Sequence, residues 1–134
     1  MIKGITLTTD KNTLIRAEEF LSDFRSEYLL EFEDRFMNLL IAYTEAVNNA
    51  VIHGNQQNPY KNVFIELEKT KNELRITVSD EGDGFSESKV PDPTLSENLL
   101  KQSGRGVFLI KKLTDEVKFN SHKSGTKIDM IFYL

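Results

Sequence analysis

The chain has 134 residues, 39% of them hydrophobic, a net charge of −4 and no cysteine. That is the size of one ordinary domain with a real core, and it excludes disulfides and thiolate metal sites, in keeping with a reducing, cytoplasmic setting. An acidic chain without a basic cluster lacks the cations of a nucleic-acid surface. No segment approaches the roughly 20 apolar residues that span a bilayer, and the first residues carry no apolar run of the signal-peptide kind.

Ile2–Thr8 alternates apolar and polar residues, as a strand with one buried face does. Thr9 and Asp10 supply N-cap chemistry for a helix expected to run to about Leu30, with Leu14, Ala17, Leu21 and Phe24 at helical spacing. The chain is expected to turn around Glu31–Asp34. A second helix is predicted over Phe32–Ile52, stopped by His53-Gly54-Asn55 with the glycine just past its end. Val63–Glu68 and Leu74–Ser79 read as an antiparallel hairpin. Phe85–Gln102 is polar, contains Pro91 and Pro93, and reads as a functional lid or binding loop with a short helical turn at Glu97–Leu100. Val107–Leu113 reads as a short helix, and Val117–Ser121 and Lys127–Leu134 as two further strands. The order β-α-α-β-β-lid-α-β-β predicts a single α/β (α+β) domain over 1–134. Its expected form is a mixed, mostly antiparallel five-stranded sheet with helices on one face.

Three stretches carry chemistry. Glu45, Asn49 and His53 are four apart and share one row of the second helix, beside the small apolar Ala46, Ala50, Val47 and Val51. Asn48-Asn49 sits mid-helix despite the poor helix propensity of asparagine, which asks for a local reason. The Asn49 amide oxygen suits the octahedral oxygen shell of Mg²⁺. Glu45, one turn away, can take a proton from a water or a substrate hydroxyl. The same row is also compatible with a solvated helix face, and His53 reads as a structural hydrogen-bonding residue at the helix C-terminus.

Asp80-Glu-Gly82-Asp-Gly84 begins at a strand end. The glycines permit positive φ and close approach to a ligand, and the Asp80 carboxylate can accept from an exocyclic amine such as adenine's. A plain Asp-Gly turn has the same residues; the spaced acids of a calcium EF-hand loop are absent. Gly104-Arg105-Gly106 precedes an apolar helical run, so it reads either as a glycine turn whose N–H groups and guanidinium hold phosphate or as a simple helix start. Gly125-Thr126 precedes the last strand, where the hydroxyl bonds a ligand or satisfies the turn. The familiar phosphate loop, the dinucleotide-binding glycine fingerprint and the protein-kinase segments are all missing.

Taken together these segments resemble the GHKL ATPases, the superfamily of histidine-kinase-like ATPase domains. Within it they look most like the small anti-sigma-factor serine/threonine-protein kinases. Glu45-x-x-x-Asn49-Ala50 matches the N box, Asp80-x-Gly82-x-Gly84 the first glycine box, Gly104-Arg105-Gly106 the second, and Gly125-Thr126 the terminal Gly-Thr. Pro91–Leu100 running into Ser103-Gly-Arg-Gly-Val-Phe-Leu-Ile resembles the short lid of the anti-sigma group.

The resemblance implies a two-layer Bergerat sandwich holding ATP and Mg²⁺. In it Asn49 binds the metal, Asp80 the adenine amine, and Gly82, Gly84, Gly104 and Gly106 lie against the nucleotide. Arg105 faces the phosphates, Thr126 the adenine side, and Glu45 is the general base. It also implies a homodimer that phosphorylates a STAS-type anti-sigma-factor antagonist and, in the other partner state, binds a sigma factor. The alternative reading is a non-catalytic ATP-binding module that regulates a protein partner. Asn48 departs from the family's pattern and has no role in either reading. No attached phosphoacceptor helical segment is present, so a conventional histidine kinase is not implied.

Overall fold

The computed structural model describes residues 1–30, 32–82 and 102–134, with the side chains of 102–104 outside that description. The elements are β1 (Ile2–Thr8), α1 (Thr13–Tyr28), α2 (Phe36–Asn48), a π-helical turn that continues α2 (Asn49–Gly54), β2 (Asn62–Lys69), β3 (Glu73–Asp80), α3 (Gln102–Leu113), β4 (Glu116–His122) and β5 (Gly125–Tyr133). The strands form one sheet in the order β1-β2-β3-β5-β4, and every pairing is antiparallel. The expected parallel component is absent among the described residues. The chain returns through α3 so that β4 runs in the direction of β3, but β5 folds back between them.

Alternation along the strands decides which face the helices cover. Val63, Ile65 and Leu67 of β2, Leu74, Ile76 and Val78 of β3, and Ile128, Met130 and Phe132 of β5 are buried, while Phe64, Glu66, Arg75 and Lys127 point to the exposed face. Ala17, Leu21 and Phe24 of α1 and Leu39, Ala42, Tyr43, Ala46 and Val47 of α2 complete the core. Small residues at 42 and 46 let α2 lie close to its neighbours. The Tyr43 hydroxyl crosses to α1 and donates to the Ala17 carbonyl oxygen at 2.5 Å; burial pushes this phenol up, so it stays protonated. At the far end Arg35 pairs with Asp115 at 2.9 Å and donates to the Tyr133 carbonyl at 3.2 Å, tying the start of α2 to β5. Among the described residues no helix is long and apolar enough to cross a membrane.

The first two helices begin later than expected. Asp10 does not cap α1. Its carboxylate accepts from the Asn12 amide at 2.7 Å in a local turn, while Thr13 Oγ1 accepts from the Asp10 amide at 2.8 Å, so the helix starts at Thr13. Thr9 is buried and donates instead to the Lys61 carbonyl at 2.6 Å. α2 starts at Phe36 rather than Phe32, because Glu33 and Arg35 accept the first bonds of its N-terminal turn. The lid region, including Pro91, Pro93 and the turn expected at Glu97–Leu100, lies outside the described residues.

Removing the hydroxyl that joins the two core helices isolates its contribution. Tyr43→Phe is expected to lower unfolding free energy by about 1 kcal/mol, read as a lower urea midpoint at unchanged m-value.

Candidate nucleotide site

Two clusters meet along the second helix. The first is a cavity of about 260 Å³ lined by Glu45, Asn48, Asn49, Ile52, His53, Arg105, Gly106 and Leu109. α2 carries Glu45 and the π-helical turn starts at Asn49, so one turn of helix separates the carboxylate from the amide. α3 packs beside α2 and brings up Arg105 and Gly106. A Cβ built on Gly106 would sit 2.8 Å from Glu45 Oε2, so the glycine makes room for the carboxylate.

Asn49 is only 7% exposed, yet its Nδ2 has no hydrogen-bond partner among the described residues. Buried amides are normally satisfied, so this one calls for a local explanation. The His53 side chain is exposed on the cavity wall. The role expected for it is taken by the backbone: Asn55 N–H donates to the Ala50 carbonyl at 2.7 Å and Gln57 N–H to the Val51 carbonyl at 2.8 Å. These bonds reach back more than four residues and turn the last stretch of the helix into a π-turn, a device frequent at functional sites. Gln56 and Gln57 then take left-handed backbone, φ 52° and 59°, to reverse the chain toward β2.

The second cluster surrounds Asp80, at the end of β3. Its Oδ1 accepts from the Gly82 amide at 2.9 Å and from the Thr126 amide at 3.1 Å. Burial pushes its carboxyl up from the ordinary carboxylate value, against the pull of those two amides and of Lys61. Three glycines close on it. A Cβ on Gly54 would strike the Asp80 carboxylate, one on Gly82 would strike the Gly54 carbonyl, and one on Gly125 would strike the Asp80 carbonyl. Gly125 alone among the described glycines has positive φ, at 145°. Thr126 is 2% exposed and its Oγ1, like Asn49 Nδ2, is buried without a hydrogen-bond partner among the described residues.

The structure therefore gathers Glu45, Asn49, Arg105 and Gly106 at one cavity, and Asp80, Gly82 and Thr126 around the end of the π-turn. Gly84 lies outside the described residues. The glycine turn expected at Gly104-Arg105-Gly106 is instead helix: α3 begins at Gln102, so both glycines lie in helical backbone and the free N-terminal amides belong to 102–105. Gly82, too, serves by closeness to Gly54 rather than by positive φ. Sequence reasoning read Gly54 and Asn55 only as a helix stop, and named Gly125 with Thr126 without its close approach to Asp80. A Gly-Asn pair after a helix signals a stop, and nothing in its composition signals burial. No group of three or more His, Asp or Glu is placed to hold a metal by protein ligands alone among the described residues.

A family model described as the histidine kinase-like ATPase domain matches residues 7–132. Serine-protein kinase RsbW of Staphylococcus aureus is 37% identical over 101 residues, covering 70% of this chain and 63% of that protein. The Bacillus subtilis protein of the same name is 34% identical over 107 residues, covering 75% and 66%. The chain thus spans less than two thirds of the length of these curated relatives. The crystal structure of the RsbU and RsbW domains of a Mycobacterium tuberculosis protein aligns with a TM-score of 0.68 at 18% identity, over 98% of this chain and 32% of that one. A histidine kinase domain of a blue-light activated histidine kinase from Erythrobacter litoralis aligns with a TM-score of 0.54 at 19% identity, over 71% and 42%. At these identities the structural likeness carries the fold alone. The sandwich, the helix-borne Glu45 and Asn49 and the match over 7–132 converge: the chain belongs to the histidine kinase-like ATPase domain family.

Proposed function

We propose that the chain binds ATP with Mg²⁺ and transfers the γ-phosphoryl group to a serine or threonine of a small STAS-domain antagonist protein, and that it binds a sigma factor in the alternate partner state. The observation that carries this reading is the buried, unpartnered amide of Asn49 one helical turn from Glu45, both on a cavity that Arg105 also lines. The name shared by the relatives, serine-protein kinase RsbW, supports the acceptor chemistry.

In this reading Asn49 presents its amide oxygen to the metal. Bound Mg²⁺ neutralises charge on the phosphates. Arg105 offers a planar guanidinium to the same charge. Asp80 accepts the adenine amine, and Thr126 Oγ1 takes the neighbouring polar edge. Gly82 keeps backbone close to the nucleotide, Gly84 belongs to the same loop, and Gly104 and Gly106 let α3 approach. Glu45 receives the proton of the acceptor hydroxyl as its oxygen bonds to the γ-phosphorus. The bond from that phosphorus to the bridging oxygen breaks, and ADP leaves with the electron pair. A cytoplasmic homodimer completes the proposal.

Incubation with Mg·ATP and a cognate STAS-domain protein is expected to give phosphoserine or phosphothreonine on the partner. Nucleotide binding with no phosphorylated partner would leave a non-catalytic regulatory module. Glu45→Ala should slow transfer by about 10²- to 10⁴-fold while sparing ATP affinity in calorimetry. Asn49→Ala should weaken Mg·ATP binding itself by about 10- to 100-fold. Asp80→Asn separates recognition from stability. The amide retains the Oδ1 acceptor but offers a donor to the adenine amine, so ATP affinity should fall about 10- to 100-fold. The raised carboxyl value of Asp80 contributes stability below the unfolded value of 3.8, and this is lost as pH rises through the folded value. The variant's apo melting temperature, relative to the parent's, is therefore expected to be higher at pH 7 than at pH 3.

A further inference from the structure

Asn55 is fully buried, and its amide is used in three directions. Nδ2 donates to Thr9 Oγ1 and to the Asn62 carbonyl, both at 2.9 Å, and Oδ1 accepts from the Glu81 amide at 2.8 Å. Its backbone N–H closes the π-turn on the Ala50 carbonyl. Flipping the amide would set donor against donor at Glu81 and acceptor against acceptor at Asn62, so the orientation is determined by its surroundings. Glu81 in turn accepts from the Asn62 amide at 2.5 Å, which closes a circuit between the helix end and the β2–β3 ladder.

What this side chain joins matters for ligand binding. Asn49 opens the π-turn that Asn55 terminates, and Asp80 precedes the Glu81 amide that Asn55 holds. The metal-facing and base-facing groups belong to different elements, a helix and a strand. Their separation is set where those elements are joined, and the Asn55 amide is the side chain that makes the join.

We propose that Asn55 is a positioning residue that sets the span between the phosphate end of the site at Asn49 and the adenine end at Asp80. The inference rests on the ATP reading above. Its signature is selective: a ligand that reaches both ends should feel the loss of Asn55, whereas a ligand confined to one end should not. A residue that merely stabilised the fold would affect both alike, or neither.

The test compares Mg·ATP, by calorimetry, with adenosine, by NMR titration, for the parent chain, Asn55→Ala, Asn55→Ser and Leu74→Ala. Leu74 is a buried core residue at the start of β3, away from Asp80, and serves as a destabilised control. At a temperature where each is folded, the Asn55 variants should lose about tenfold or more in Mg·ATP affinity, the equivalent of one broken buried hydrogen bond. Their adenosine affinity should stay within about twofold, and so should both affinities of Leu74→Ala, which shares no partner with the site. Serine keeps one hydroxyl and covers the case in which the alanine variant does not fold. In the parent chain the Glu81 amide should be protected from hydrogen exchange as strongly as the core of β3, before any nucleotide is added. Unchanged Mg·ATP affinity in the Asn55 variants, equal losses for both ligands, or rapid exchange at Glu81 would each overturn the proposal. A parent chain that binds adenosine but gains nothing from Mg²⁺ and the phosphates would overturn the ATP reading first, and this inference with it.

Discussion

The site depends on one close approach, that of Gly54 to the end of β3. The backbone of a helix end and the carboxylate of a strand end occupy space in which neither Gly54 nor Gly82 can carry a side chain. Everything around it follows. The chain must leave the helix sharply, so it widens into a π-turn and reverses through two left-handed glutamines. It must also bury polar backbone in doing so, and the Asn55 amide satisfies it. A residue with a Cβ at 54 or 82 would push the helix from the sheet and change the separation of Asn49 and Asp80.

The same junction stores unfavourable terms. Asp80 is ionisable and buried, with two backbone amides offsetting only part of the desolvation. Asn49 Nδ2 and Thr126 Oγ1 are buried without a hydrogen-bond partner among the described residues. The core beneath them is conventional: β-branched and aliphatic side chains from three strands meet the small and apolar residues of α1 and α2. Stability is thus concentrated in the sheet and its helix cover, and the open polar groups lie at the edge where the helix meets the strand ends, as expected where function is taken at a cost in stability.

The strands were legible because alternation with a period of two is a strong signal when one face is buried; β1 has the expected bounds and the other four differ by one or two residues at their ends. Glu45 and Asn49 were legible because an asparagine pair in a helix interior contradicts propensity. The all-antiparallel pairing was not legible, since strand order depends on where β5 inserts, and no local pattern encodes that. The backbone at Gly104 and Gly106 was misread because glycine before an apolar run signals a turn, whereas here α3 extends through both. Gly106 spares space for the Glu45 carboxylate across the helix pair, a tertiary need that looks like flexibility in the sequence. Asn55 was passed over for the converse reason: asparagine after glycine is ordinary turn chemistry, and only its complete burial reveals the hub.

The antiparallel pairing of β3 with β5 has a consequence for how the protein is made. Ser79 lies opposite Lys127, and Asp80 takes an amide bond from Thr126, forty-six positions along the chain. Contacts so distant in sequence form late, after local helices and hairpins. During synthesis β1, β2 and β3 with their covering helices can assemble while β5 is still inside the ribosome, but the Asp80 carboxylate then lacks the Thr126 amide. The surroundings of Asp80 are therefore completed only when the last strand joins the sheet and supplies the Thr126 amide.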